Sequence, residues 1–184
     1  MPINAIREDI KIDSNHVDLI YGLIVAAKPK AILEFGLGRA VATDRILTAI
    51  GYNTIPVRYV VVDNWKDFGG TIPGEARNYA NRLSLVTEDE GRFIAGAIKA
   101  GDRFDFILCD GDHFNSEKYF EDVYGRLLNP NGILIYHDVV GAEFPNLHEL
   151  PRKALAHALS HIVFDKATRP DEHCERGLLV VFKT

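Results

Sequence analysis

Two stretches of the chain carry residues that could do chemistry. In "DFILCDGDHFNSEKYF" (105–120) an apolar run, Phe106-Ile107-Leu108-Cys109, ends in Asp110-Gly111-Asp112-His113. In "GILIYHDV" (132–139) a second apolar run ends in His137 and Asp138. Carboxylates placed just past buried strands cost free energy to desolvate unless something uses them. Carboxylates beside imidazoles can pass protons or hold a hard cation. The structural alternative is an Asp-Gly-Asp turn with hydrogen-bonded histidines. Against it, clustered carboxylates without a cation repel and raise one another's pKa, which costs stability.

A third stretch, "EFGLGRA" (34–40), suits ligand binding. Gly36 and Gly38 allow a tight turn and a close approach of backbone to ligand, and the following helix offers free N–H groups. A dinucleotide fingerprint requires Gly or Ala where Val41 stands, so that ligand does not fit. Glu34, two positions before the first glycine, and Ala40 in a third small position suit another. Asp63 ends the next strand, where an acid can accept hydrogen bonds from ribose hydroxyls; as an isolated residue it would read as a turn or cap. Asn64 and Trp65 follow it as further cofactor candidates. Glu88 or Asp89, after the third strand, could meet an adenine amino group, although "TEDE" also reads as a solvated helix start.

The elements that must position these groups are legible as periodicities. Val17, Ile20, Leu23, Ile24 and Ala27 fall at helical spacing, with Asp13 or Ser14 as cap and Pro29 as stop. Strands are predicted at "AILEFG" (31–36), "VRYVVVD" (57–63), "LSLVT" (83–87), "FDFILCD" (104–110) and "GILIYHD" after the turn "NPNG" (129–132). Helices separate them, one carrying Tyr119, Phe120, Val123, Tyr124, Leu127 and Leu128 on one side. A helix through "NLHELPRKALAHALS", a short strand near "HIVFD" and a final strand "GLLVVFK" complete the pattern. Apolar runs alternating with helices imply a parallel sheet covered on both faces, and the closing pair suggests an antiparallel hairpin. In open sheets of this kind ligands bind beyond the carboxyl ends of the strands, which is where all the residues above collect.

At 184 residues the chain reads as one domain over 1–184, with 1–13 a loose lead-in. Hydrophobic residues make up 47% and charged ones 26%, which excludes a mainly disordered chain. A formal net charge of −5 disfavours broad attraction to nucleic acid or anionic membrane. Cys109 and Cys174 form no CxxC pair, so a disulfide framework or thiolate zinc site is not expected. The N-terminus has no apolar signal core, and no apolar run approaches about 20 residues. A cytoplasmic protein is the expectation. Trp65 with Phe68, Gly69, Gly70 and Pro73 reads either as a lid over substrate or as a plain loop.

Taken together, from about residue 14 to the end, the chain resembles the class I S-adenosylmethionine-dependent methyltransferases. "FDFILCDGDHFNSEKYFEDVYGRLLNPNGILIYHDV" is similar to the small-molecule O-methyltransferases related to macrocin O-methyltransferase and the cephalosporin-hydroxylase-type enzymes. Their pattern is an acid-Gly-Asp-His after strand four, an amphipathic helix, Pro-x-Gly, then His-Asp or two acids after strand five. Ala40 departs from the group's usual third glycine, and His137 stands where some relatives carry a carboxylate. The resemblance implies an α/β Rossmann-like methyltransferase fold, its mostly parallel seven-stranded sheet ordered 3-2-1-4-5-7-6. It implies S-adenosylmethionine over Glu34, Gly36, Gly38, Asp63, Asn64, Trp65, Glu88, Asp89 and Asp110. Asp112 would be the general base, with His113 assisting.

A neutral alcohol is a poor nucleophile, and a divalent cation lowers the pKa of a bound hydroxyl and positions it. Asp110 and Asp138, with His137, are the expected ligands, and Mg²⁺ the expected ion. The expected reaction is O-methylation of a small hydroxylated metabolite, without nucleic-acid or membrane partners. A second copy of the chain could complete the site as a homo-oligomer, because larger relatives carry extra substrate-binding parts. Two other readings stay open: a cofactor-binding module without catalysis, and a methyltransferase with a macromolecular acceptor. The missing Asp/Asn-Pro-Pro-aromatic signature after strand four argues against a base nitrogen as acceptor.

Overall fold

The computed structural model describes residues 14–38, 40–52, 56–66, 70, 79, 81–140, 142–165 and 176–184. The lead-in, Asp13, Cys174, and the lid residues Phe68, Gly69 and Pro73 lie outside them.

Helix α1 (Ser14–Ala27) turns Val17, Ile20 and Ile24 inward. Strand β1 (Ala31–Phe35) is buried from Ile32 onward, as expected of a strand covered on both faces. Helix α2 (Val41–Gly51), β2 (Arg58–Asp63), β3 (Ser84–Thr87), α3 (Glu90–Ala100) and β4 (Phe104–Cys109) follow. The helical segment 116–127 opens with a 3₁₀ turn (Ser116–Tyr119) and closes with a π turn (Val123–Leu127). It is therefore not the uniform α-helix its periodicity suggests, yet Phe120, Val123 and Leu127 all point into the core. Strand β5 (Leu128–His137), a 3₁₀ turn (Pro145–His148), α4 (Glu149–Ala156), β6 (Ser160–Phe164) and β7 (Leu178–Phe182) complete the order.

The sheet order is β3-β2-β1-β4-β5-β7-β6. Pairs among the first five strands are parallel, and β7 runs antiparallel to both β5 and β6. The expected sheet is the one found, with one difference at β5. It begins at Leu128, before the "NPNG" turn, because Leu128 already pairs with Phe104; the register then jumps to Phe106 opposite Ile133. The intervening residues bulge out, and Asn129 ties the bulge to Asp105 Oδ1 at 2.8 Å. The other oxygen of Asp105 accepts from Lys30 N and Ala31 N, which fixes where β1 starts.

Side chains alternate between two cores. Ile32, Val61, Phe106 and Ile135 pack with Ile20, Ile24 and Ile46 of α1 and α2. Leu33, Val62, Ile107 and Leu134 pack on the other face with Ile94, Phe120, Val123 and Leu150. Each such apolar side chain contributes about 1.5–3 kcal/mol by leaving water. Together the two layers hold the carboxyl ends of β1, β2, β4 and β5 in one row. No described helix is long and apolar enough to cross a membrane.

Candidate active site

Gly36 sits at φ 85 where the ends of β1 and β4 converge, and a Cβ there would run into the Asp110 carbonyl. Gly36 N donates to Val62 O and Asp110 N to Phe35 O, both at 2.9 Å. Glycine is thus demanded first by strand against strand. Gly38 differs: at φ 50 its missing side chain faces open space. Ala40, at φ 62, turns the chain into α2 from a left-handed conformation that costs a non-glycine residue roughly 1–2 kcal/mol.

Asp63 organises this loop. One carboxylate oxygen accepts from Leu37 N at 2.8 Å and the other from Trp65 N at 2.7 Å. An ionised carboxylate has about four acceptor sites, so two remain for a ligand. The Trp65 indole is fully buried, packed in the core and donating Nε1 to Thr87 Oγ1 at 2.9 Å. Its apolar area is satisfied there, which is the packed-aromatic arrangement that a plain loop would give. Asn64 accepts from Lys66 N, and Asp89 caps α3 by accepting from Gly91 N at 3.1 Å.

Two glutamates work from beneath. Glu34 has no solvent exposure and accepts from the hydroxyls of Thr43, at 3.0 Å, and Tyr59. Burial pushes its carboxyl up to about 8, against the pull of those hydroxyls. Glu90, which the sequence reading passed over inside "TEDE", accepts from Asp112 N at 3.1 Å and Ser116 Oγ at 2.9 Å. Burial pushes it up to about 7. It clamps the turn that carries Asp112 and His113 onto α3.

The ends of β4 and β5 bring the opening residues together. His137 Nδ1 lies 3.1 Å from Asp110 Oδ1 and 3.4 Å from Asp138 Oδ2. His113 Nε2 lies 2.8 Å from Asp138 Oδ2 and 3.5 Å from Asp110 Oδ1. Burial opposes charge on both imidazoles, but the two carboxylates outweigh it and raise His113 to about 9 and His137 to about 10. Asp110 and Asp138 are held below the usual carboxylate range, despite burial, by those same histidines. Asp138 adopts φ 62, and Arg176 Nη1 approaches its Oδ1 at 3.4 Å. His16 of α1 meets the His137 ring edge-on, with centroids 5.4 Å apart.

Asp112 stands differently from its neighbours. Its Oδ1 accepts from Phe114 N at 3.2 Å and its Oδ2 from Asn115 Nδ2 at 2.7 Å, so its carboxylate also caps the turn that follows. His113 stacks on Phe144 at 4.4 Å, and Phe114, 71% exposed, meets Phe144 edge-on.

These groups share a cavity of about 810 Å³ along the carboxyl edge of the sheet. Glu34, Gly36, Gly38, Asp63, Asn64, Glu88 and Asp89 line one end; Asp110, Asp112, His113 and Asp138 line the other. Glu90, Phe114, Phe144 and Arg176 also face it and were not anticipated. Asp110, His137 and Asp138 can each offer a ligand atom within 4.8 Å of the others, a donor set that suits a divalent cation.

No protein-family model matches this sequence, and no curated protein matches it. Solved structures do. The O-methyltransferase from Bacillus cereus, in complex with S-adenosylhomocysteine, aligns with TM-score 0.71 at 18% identity, covering 94% of this chain and 82% of its own. TomG from Streptomyces achromogenes, an O-methyltransferase involved in tomaymycin synthesis and solved with S-adenosylmethionine, gives 0.72 at 13%, covering 96% and 83%. A methyltransferase from Geobacter sulfurreducens gives 0.68 at 19%, covering 94% and 80%. At these identities the likeness establishes the fold. This chain has the fold of the class I S-adenosylmethionine-dependent methyltransferases, the one its sequence resembles.

Proposed function

We propose that the protein is an S-adenosylmethionine-dependent O-methyltransferase acting on a hydroxyl of a small metabolite. The observation that carries the reading is the single cavity with two chemically distinct ends. One end offers a glycine turn, a helix N-terminus and the acceptor carboxylate of Asp63; the other offers Asp110, Asp112, Asp138 and His113. S-adenosylmethionine supplies an electrophilic methyl on a sulfonium. Asp63 would accept from its ribose hydroxyls while its backbone partners keep the Gly36–Gly38 turn in place. Glu34 would support that turn from inside the core, and Glu88 and Asp89, which line the same cavity, would meet the base.

A divalent cation, when bound by Asp110, His137 and Asp138, lowers the pKa of an acceptor hydroxyl. With cofactor bound, Asp112 would take the proton of the acceptor hydroxyl and His113 would orient that hydroxyl, while the cofactor would supply the methyl group. Phe114 and Phe144 give the acceptor an apolar face at the mouth. The carboxylates lining the cavity disfavour a polyanionic acceptor such as nucleic acid. A cytoplasmic setting belongs to this reading and agrees with the buried free thiol of Cys109.

The test is transfer of labelled methyl to a panel of hydroxylated metabolites. Asp112→Asn should retain cofactor affinity and lose about 10²–10⁴-fold in rate, the range of general-base contributions. Cofactor binding without turnover on any acceptor, macromolecular ones included, would favour a binding module instead.

A further inference from the structure

We infer that the Asp110–His137–Asp138 cluster is built for a first-row transition ion such as Mn²⁺, Fe²⁺ or Co²⁺ rather than for Mg²⁺. The inference rests on the proposed function and names the cation of that same site. Its basis is the nitrogen in the donor set. Mg²⁺ takes oxygen ligands and gives up its waters reluctantly, whereas imidazole suits the later first-row metals. Within this triad His137 Nδ1 faces both carboxylates, at 3.1 and 3.4 Å, so an ion held by the three side chains meets this nitrogen.

The imidazole has no room to withdraw. Its side chain is 1% exposed, it closes β5 in register with Leu178 of β7, and His16 abuts its ring. Asp138 follows in a left-handed conformation that a non-glycine residue adopts only when its surroundings impose it. That turn is what brings its carboxylate back beside the ring of the preceding residue. Of the three side chains Asp110 is the most open, at 21%, so free coordination positions face the cavity. Three protein ligands with open positions describe a catalytic rather than a closed structural site.

The experiment uses the full chain stripped with chelator. Calorimetric titration with Co²⁺, Mn²⁺ and Mg²⁺ gives three affinities for the wild type and for His137→Asp, whose donors are all oxygen. Co²⁺ and Mn²⁺ should each bind the wild type at least about tenfold more tightly than Mg²⁺, and the variant should narrow that ratio at least about tenfold. On the wild type alone, pulsed electron paramagnetic resonance of bound Mn²⁺ should show coupling to a directly ligated imidazole nitrogen. That measurement decides the matter should the variant misfold. An unchanged ratio in a folded variant, bound Mn²⁺ without nitrogen coupling, or no binding of any of the three ions would overturn the inference. S-adenosylhomocysteine is titrated in parallel: binding there with no metal bound leaves the methyltransferase reading standing, and its failure removes that reading first.

Discussion

Glu34 sits at the carboxyl end of β1 with its charge suppressed. Its ordinary pKa is 4.5 and burial raises it to about 8 in the folded chain. Between those values the native state holds a proton that the unfolded state has lost. The stability this contributes is complete below the lower value and is lost as pH rises through the upper one, at no more than about 1.4 kcal/mol per unit. Glu34→Gln keeps the shape and removes the titration. Urea melts should therefore show a smaller loss of stability from about pH 5 to about pH 8 in the variant than in the wild type; parallel losses would contradict the assignment. The two loop glycines give a second test. Gly36→Ala should cost on the order of 2–4 kcal/mol, through left-handed strain and collision with the Asp110 carbonyl, and Gly38→Ala only about 1–2 kcal/mol through strain alone. Equal costs in denaturant melts would remove the strand-crossing argument. At this scale the sequence was most informative where chemistry and strand ends coincide, as at Asp110, His113, His137 and Asp138. It was silent on Glu90, whose burial depends on the 112–116 turn folding back onto α3. For Trp65 the sequence left a lid and a packed loop open, because the partner of its indole, Thr87, lies 22 residues away within the core.

The helical segment 116–127 shows what apolar periodicity does and does not encode. Its inward residues were legible because Phe120, Val123 and Leu127 recur at three- and four-residue spacing. The change from a tight first turn to a wide last turn was not legible. It accompanies the immediate entry into β5 at Leu128, and Lys183 Nζ caps that end by donating to the carbonyls of Tyr124, Gly125 and Leu128. Lys183 lies on the far side of the sequence, so no local pattern announces it. Phe120 is fully buried between Tyr124 and Tyr136. Phe120→Ala should destabilise by about 3–5 kcal/mol in equilibrium melts, the cost of a large cavity in a packed core. A loss below about 1 kcal/mol would mean the segment is not the anchor of this face. The strand pattern fared better than the helix, since β-branched runs bounded by glycine and acids leave few alternatives. The bulge at Asn129 escaped it because Asp105, which holds that bulge, reads simply as an alternating strand residue.

For the whole molecule, the sheet order places a topological reversal between β1 and β4, and the cavity opens at that point. Ligands of open α/β sheets bind at such reversals. The order itself came from resemblance rather than from spacing, and the structure bears it out. What neither could supply is the second wall of the cavity, where Phe144 arrives from the segment after β5 and Arg176 from the residues before β7. The central claim is that S-adenosylmethionine occupies the Gly36–Asp63 end, and calorimetric titration of S-adenosylhomocysteine tests it most directly. The wild type should bind one molecule per chain, while Asp63→Ala, having lost a charged acceptor worth about 1.5–3 kcal/mol, should bind at least roughly tenfold more weakly. Because the same carboxylate pins Leu37, circular dichroism of the variant must match the wild type for the comparison to count. Absence of binding to the folded wild type, or equal affinity in the folded variant, would contradict the account.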